Sequence, residues 1–290
     1  MVITGASSGI GRGAALAFAR AGAAVVVAAR REGLLQALAA DIRAEGGRAL
    51  AVPCNVGDAA QVEALAQSAI EAFGHVDVWI NNAGVGVVGP FDEVPLVEHE
   101  QVIRTNLLGT LHGCYVAMRH FRQRRQGTLI NVSSMFGKLP GPYWSSYVAS
   151  KFAINGLADA LRQELRRTGL GGVHVCSVMP MTTDTPFFTH AGNYTGREIG
   201  LPHPMHDAKK VVATLLRVAV EPRDEVIVGY AGRIANLAHA LAPKAVETLF
   251  GLETHRLQFR KAAPSAFTSG AVLHPRPEGD AIAGGFRKSA

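Results

Sequence analysis

The feature that most constrains this chain is a strand, a glycine loop and a helix following one another at its start. Val2-Ile3-Thr4 reads as a very short apolar strand running into Thr4–Gly11, TGASSGIG, and Gly13 to Ala21 carry helical spacing that stops at Gly22. Gly5, Gly9 and Gly11 let the backbone turn tightly and approach a ligand closely. The helix start beyond them offers unpaired N–H groups to an anion, so the unit fits a phosphate site. A central strand usually has more residues ahead of such a loop, which points to an abbreviated or misplaced start.

The same alternation continues along the chain. Ala24 to Ala29 (AVVVAA) is continuously apolar, as a buried parallel strand is. A helix over Glu32–Glu45 follows, then a strand over Arg48–Cys54 and a helix N-capped by Asp58 that runs to about Phe73. Val76–Ile80 is a strand ending in Asn81-Asn82-Ala83-Gly84, and Pro95–Arg122 is largely helical around Asn106. Gly127–Val132 is a strand leading to Ser133-Ser134, followed by a helix from about Trp144 to Thr168. Gly172–Val178 is a strand halted at Pro180, Asp207–Val220 a helix, and Glu225–Val228 an edge-like strand. Such alternation predicts an α/β fold over residues 1–230, a Rossmann-like doubly wound parallel sheet with helices on both faces. Residues 231–261 form a helical extension, amphipathic over Gly232–Phe250 and broken at Pro243. It suits a cap on a cleft, a subunit contact or a membrane surface, although its polar face has few cations. Over 262–290 Pro, Gly, Ser and Ala predominate without periodicity, so a poorly ordered or draped tail is expected.

Composition removes several classes. With 290 residues, 48% hydrophobic and 18% charged, the chain is an ordinary globular one with a sizeable core. A net charge of +6 raises nucleic acid as a partner, but the basic residues are spread. The one cluster, Arg119, Arg122, Arg124 and Arg125, falls where a helix end favours cations, so no nucleic-acid partner is expected. Cys54, Cys114 and Cys176 are far apart, with no C-x-x-C, which favours a reducing, cytoplasmic setting over a disulfide or zinc framework. Neither a signal peptide nor an apolar run long enough for a transmembrane segment is visible. His203-x-x-His206 with His190 lacks an acidic or thiol partner, and His99-Glu100 lacks a second histidine, so no metal is expected.

The chemistry concentrates in Ser134–Lys151, SMFGKLPGPYWSSYVASK. Tyr147 stands four residues before Lys151 and thirteen after Ser134. On a helix, residues four apart share a face, so phenol and ammonium point into one space. A phenol is a poor base near neutrality, and a nearby cation favours the phenolate. So tuned, it exchanges a proton with a carbonyl or alcohol oxygen, to which the serine can hydrogen-bond. Alone, Y-x-x-x-K is equally a surface pair. Arg30-Arg31 ends the second strand, with Glu32 the first acid after it. An acid there would bind a ribose 2′-OH, whereas arginine accommodates a 2′-phosphate, which favours NADP(H) over NAD(H). Gly5-Ala6-Ser7-Ser8-Gly9 also matches the G-x-S-x-G elbow of a serine hydrolase. Such an elbow follows several strands rather than the first, and a Ser7 nucleophile leaves Gly11, Tyr147 and Lys151 without a role.

TGASSGIG, NNAG, the serine strand and YxxxK, in this order and spacing, resemble the short-chain dehydrogenase/reductase family over roughly residues 2–230. The resemblance implies about seven parallel strands, with the Rossmann order extended at one edge. It implies that Gly5, Ser7, Ser8, Gly9, Ile10 and Gly11 hold the pyrophosphate and adenosine. Arg30, with Arg31, would take the 2′-phosphate. Asn55 and Val56 stand beside adenine where the family usually has Asp-Val, and Asn82, Ala83 and Gly84 pass the adenine ribose. Tyr147 would transfer the proton and Ser134 bind the substrate oxygen, the thirteen-residue spacing choosing it over Ser133. Lys151 would grip the nicotinamide ribose and depress the Tyr147 pKa. Asn106 would bend its helix and hold a water linking Lys151 to solvent. Where the family reads P-G-x-x-x-T at the carboxamide, this chain has Pro180, Thr182 and Thr185 but Met181 for the glycine. Pro186–Pro204 would be a substrate lid, its Phe187, Phe188, His190, Tyr194, His203 and His206 suiting an apolar or ring-bearing substrate. The expected protein is an NADP(H)-dependent oxidoreductase on a carbonyl/alcohol pair, a homodimer or homotetramer built on the helices of Asn106 and Tyr147. A nucleotide sensor that has lost turnover is the alternative, and it would need none of Ser134, Tyr147 and Lys151.

Overall fold

The apolar runs of the sequence become the strands β1 (Val2–Thr4), β2 (Ala24–Ala29), β3 (Arg48–Pro53), β4 (Val78–Asn81), β5 (Gly127–Val132), β6 (Val173–Pro180) and β7 (Glu225–Val228). The structure is a computed structural model and describes residues 1–277 and 279–287. The seven strands pair in parallel in the order β7-β6-β5-β4-β1-β2-β3. Between them run α1 (Gly9–Arg20), α2 (Glu32–Ala44), α3 (Ala59–Phe73), α4 (Leu96–Ile103), α5 (Gly109–Arg124), α6 (Ser145–Thr168), α7 (Phe187–His190) and α8 (Ala208–Val220), with α9 (Tyr230–Leu241) and α10 (Pro243–Arg256) after the last strand.

Successive side chains of a strand point to opposite faces, and this divides the core in two. Ile3, Val27, Ile80 and Ile130 pack with α1, α2 and α8, while their neighbours Val2, Val26, Trp79 and Leu129 pack with α3, α5 and α6. Each fully buried Leu or Ile here contributes roughly 1.5–3 kcal/mol. The chain leaves β1 toward β2 and β3, then returns on the other side to β4. Connections therefore diverge between β1 and β4, and a crevice opens at the strands' carboxyl ends.

Local chemistry sets the helix ends. Asp58 caps α3 by accepting from the N–H groups of Ala60 and Gln61, and Asp207 caps α8 through Lys209. α1 begins at Gly9 rather than at the expected Gly13, so its first turn belongs to the glycine loop. A π-helical turn, Arg104–Leu108, joins α4 to α5. Pro243 does not merely break a helix but starts α10, where a missing N–H costs nothing. α10 runs past the expected Phe250 to Arg256. The inner face of this helical pair (Ala231, Gly232, Ala235, Phe250) lines the central cavity, while Ile234, Leu237, Leu241, Leu249 and Leu252 face outward. Residues 262–277 and 279–287 then return along the lid, bridging Pro264 to Arg197 and Thr268 to Asn193. Glu278 and residues 288–290 of the expected tail lie outside the described residues. No helix among the described residues is long and apolar enough to cross a membrane.

Candidate active site

The glycine loop is stitched to β4 by the asparagine motif. Thr4 Oγ1 accepts from the N–H groups of Asn82 and Ala83 at 3.0 and 3.1 Å, and Asn82 Nδ2 donates to the carbonyls of Thr4 and Gly5 at 2.9 and 3.2 Å. At Gly5, φ is +66°, and a Cβ would lie 2.7 Å from Ala83 Cα. A Cβ on Gly11 would lie 2.6 Å from Asn82 Nδ2. The loop can thus close on β4 only without side chains, which leaves a cradle shaped for the phosphates of a dinucleotide. Asn55 is a turn residue: its Oδ1 accepts from Gly57 N–H at 3.1 Å and its carbonyl from Asp58 N–H at 3.0 Å. With Val56, it forms the cavity wall beyond β3.

The two predicted arginines part company. Arg31 lies across the loop, its Nε donating to Ser7 Oγ at 3.1 Å and its Nη2 to Ser7 Oγ at 2.9 Å and Ser8 Oγ at 2.8 Å. Arg30 turns to the C-terminal segment and donates to the carbonyls of Ala271, Val272 and Leu273 at 2.9, 3.4 and 3.3 Å.

Ser134, Tyr147 and Lys151 share one wall. Ser134 follows β5, its Oγ accepting from Phe136 N–H at 3.1 Å. Tyr147 lies in the first turn of α6 and Lys151 in the next, with Nζ 5.4 Å from the centre of the Tyr147 ring. Lys151 is 4% exposed, and Nζ donates to the Val132 carbonyl at 2.9 Å. Burial pushes its ammonium down to about 8. Burial pushes the Tyr147 phenol up to about 12, a hydrogen bond from the Ser134 hydroxyl pulling the other way. The phenol is thus raised, against the depression expected from Lys151, because the ring is desolvated among Phe136, Trp144 and Phe187. Ser133 instead donates to the Lys151 carbonyl at 3.3 Å.

Asn106 lies within the π-helical turn, fully buried. Its Oδ1 accepts from Val85 N–H at 2.9 Å, and its Nδ2 donates to the Val85 carbonyl at 3.0 Å and to Ser150 Oγ at 3.1 Å. Gly84 lies between the two side chains: a Cβ there would be 3.5 Å from Asn106 Oδ1 and 3.9 Å from Lys151 Nζ. Asn106 thus fixes the backbone beside the lysine.

Pro180, Thr182 and Thr185 line the cavity, and Met181 has a structural explanation. A Cβ on Gly232 would lie 2.8 Å from Met181 Cγ, and one on Gly229 3.1 Å from its sulfur. The thioether fills a slot that these two glycines leave at the foot of α9. Of the lid residues, Phe187, Phe188, His190 and His203 line the cavity, whereas Tyr194 and His206 do not. Tyr194 donates its hydroxyl proton to Glu98 instead. Sequence reasoning missed Phe136, Trp144, Phe250 and Arg276 as cavity residues. Trp144 stands three residues before Tyr147, a spacing that places both on one helix face and could have found it. Among the described residues, no group of three or more His, Cys, Asp or Glu could hold a metal ion.

All these parts border one cavity of about 510 Å³, which runs from Ser7, Ser8 and Arg31 past Asn82 to Ser134, Tyr147 and Lys151. An open channel from a phosphate cradle to a buried phenol fits an extended dinucleotide with a small molecule at its far end.

Known proteins resemble this chain in sequence and fold. A family model described as short chain dehydrogenase matches residues 1–194. The uncharacterized oxidoreductase YxnA of Bacillus subtilis is 34% identical over 251 residues, 86% of this chain and 70% of that protein. A short chain dehydrogenase/reductase from Burkholderia phymatum, solved in complex with NAD, superposes with a TM-score of 0.74 at 28% identity, covering 84% of this chain and 93% of that one. An alcohol dehydrogenase from Thermococcus sibiricus, complexed with 5-hydroxy-NADP, gives 0.67 at 26% identity, over 78% and 94%. With the motifs standing where such a fold needs them, this chain belongs to the short-chain dehydrogenase/reductase family of oxidoreductases.

Proposed function

We propose that this chain is an NADP(H)-dependent oxidoreductase acting on a carbonyl/alcohol pair, with Tyr147 as its general acid and base. The observation that carries this reading is the common wall of Ser134, Tyr147 and Lys151 at the end of a channel that begins at the glycine loop. When bound, the nicotinamide supplies or accepts the hydride. Gly5, Ser7, Ser8, Gly9, Ile10 and Gly11 would hold its pyrophosphate, Asn55, Val56 and Asn82 to Gly84 its adenosine, and Pro180, Thr182 and Thr185 its carboxamide. Arg31, spread over the serine hydroxyls, supports a 2′-phosphorylated ligand.

A phenol held near 12 is protonated at neutral pH, so Tyr147 enters carbonyl reduction as a proton donor. Ser134 Oγ donates to the substrate oxygen and keeps it within reach of Tyr147 Oη. The proton passes from Oη to that oxygen, and the buried ammonium of Lys151 stabilises the phenolate left behind. Reduction should therefore be level below about pH 8 and decline above it as Lys151 loses its proton. Phe136, Trp144, Phe187 and Phe188 keep water away and support an apolar or ring-bearing substrate. Exposed Leu111 and Tyr115 on α5 and Phe152 on α6 support a homodimer or homotetramer built on those helices. The buried free thiols of Cys54, Cys114 and Cys176 agree with a cytoplasmic setting.

The test is NADPH consumption across a panel of carbonyl compounds, with NADH in parallel. Tyr147→Phe should lower turnover about 10²–10⁴-fold while cofactor affinity stays within about twofold. Full activity in the Phe variant removes Tyr147 from the chemistry. Cofactor binding by the unmodified protein without turnover on any compound favours a sensor instead.

A further inference from the structure

The C-terminal segment crosses the adenosine end of the channel and is tied down on both sides. On the lid side, Thr268 and Asn193 exchange backbone hydrogen bonds at 2.7 and 3.0 Å, and Ala271 N–H donates to the His190 carbonyl at 2.7 Å. Arg30 then grips three successive carbonyls, those of Ala271, Val272 and Leu273. On the far side, Arg31 Nη1 donates to the Gly279 carbonyl and Gly9 N–H to the Ala281 carbonyl, both at 2.9 Å. The buried carboxylate of Asp184 finishes the anchor by accepting from the N–H groups of Gly284, Phe286 and Arg287 at 3.0, 3.0 and 3.3 Å. The segment reaches the phosphate cradle, where the Ala281 carbonyl takes the Gly9 N–H, and leaves an open volume bordered by Ser7, Asn55 and Arg31.

This segment brings in a charge of its own. Arg276 joins Arg30 and Arg31 in lining the same end of the cavity. Its own partners are weak and neutral, the Thr189 carbonyl at 3.4 Å and Thr268 Oγ1 at 3.2 Å. Among the described residues, no carboxylate forms an ion pair with Arg30 or Arg276. His190, packed nearby, has its pKa lowered by burial and then by Arg31 and Arg276, so both guanidiniums act on one spot. Positive charge gathered at a cavity end is what recognises a phosphate, and at this end Asp280 of the segment offsets part of the charge of Arg31 but pairs with neither Arg30 nor Arg276. Arg30 is committed to the segment's carbonyls, and those oxygens would repel a phosphate on that side.

We propose that Arg276, delivered by the C-terminal strap, binds the cofactor's 2′-phosphate together with Arg31, and that Arg30 serves to hold the strap in place. This rests on the dinucleotide reading above. It assigns a specificity determinant to a segment beyond the 1–194 matched by the family model.

The experiment is calorimetric titration of the full-length protein and its Arg276→Ala and Arg276→Lys variants with adenosine 2′,5′-bisphosphate and with 5′-AMP. NADPH and NADH are titrated alongside, and thermal melts check folding. Arg276→Ala should weaken the bisphosphate and NADPH about tenfold or more and leave 5′-AMP and NADH within about twofold. Arg276→Lys, which keeps the charge without the fork, should fall between. Equal losses for both ligand pairs, or none for either, overturn the proposal. An unmodified protein that binds neither NADPH nor NADH sinks the dinucleotide reading and this assignment with it. One that binds both, with Arg276→Ala indifferent to the phosphate, sinks this assignment alone.

Discussion

The cofactor channel has two walls of different construction. The inner wall, Gly5–Gly11 against Asn82–Gly84 and on to Tyr147 and Lys151, is closed at the loop by Thr4 and Asn82, so tightly that a single Cβ at Gly5 or Gly11 collides with its neighbour. The outer wall, α9, α10 and the strap, is held by side chains reaching over to backbone: Arg30 on three carbonyls, Asp184 on three N–H groups. At Gly251 on α10, nothing lies within 4 Å of where a Cβ would be. The inner wall has no room for a methyl group at these two positions, which suits the close approach of phosphates proposed for it. The α10 part of the outer wall has slack at Gly251, whereas Gly232 of α9 and Gly270 of the strap are packed closely, and slack is where recognition of a particular ligand can be adjusted without disturbing the chemistry.

The most damaging way to break this contrast is to add one methyl group to the inner wall. Gly11→Ala would press first against the Gly5 carbonyl oxygen and then against Asn82 Nδ2, and so disrupt the bonds that Asn82 donates to Thr4 and Gly5. Urea denaturation should show a loss of about 3 kcal/mol, with cofactor binding lost as well. Unchanged stability would mean that the loop is looser than its geometry.

Lys151 tests the inner wall in the opposite direction. Its folded pKa, about 8, lies below the ordinary 10.5, so the fold disfavours the charge that the unfolded chain carries freely. Below pH 8 the burial cost is borne in full. Between the two values the folded state has released a proton that the unfolded state still holds, so stability from this residue rises with pH. Lys151→Met removes the cost and one hydrogen bond to Val132, and should stabilise by about 1–2 kcal/mol at pH 7. The gain should shrink toward zero as the pH approaches 10, while oxidoreductase turnover is lost throughout. A variant less stable than the parent at pH 7 would show that the ammonium is not held at a cost.

The inner wall was legible in the sequence because its signals are local. Three glycines of one loop, the NNAG tetrad and the four-residue step from Tyr147 to Lys151 each fix geometry over a few residues, and the alternation of strands and helices pointed to the parallel sheet, whose seven strands the family resemblance implied. Local signals also misled where neighbours decide. Gly9 reads as a residue of the turn ahead of the helix but opens α1, and Pro243 reads as an interruption but opens α10. A cation beside Tyr147 suggested a lowered phenol pKa, yet the aromatic walls that raise it come from Phe136 and Phe187, outside its own helix. Arg30 meets its carbonyls across 241 to 243 residues. Nothing in the pattern around Arg30 or Arg276 encodes that meeting.

The mildest change sharpens the contrast by reversing its sign. Gly251 occupies the interior of α10, where glycine carries more backbone entropy than alanine and leaves the backbone open to water. An added methyl meets no neighbour there. Gly251→Ala should therefore stabilise by about 0.5–1 kcal/mol, read from denaturant midpoints at constant slope. Because Phe250, which borders the cavity, keeps its place, kcat/KM should stay within about twofold, too small a change to signal a lost contact. The same substitution type thus costs stability at residue 11 and adds it at residue 251. If Gly251→Ala destabilised the protein, α10 would be packed against another surface, and the tolerance ascribed to the outer wall would fail.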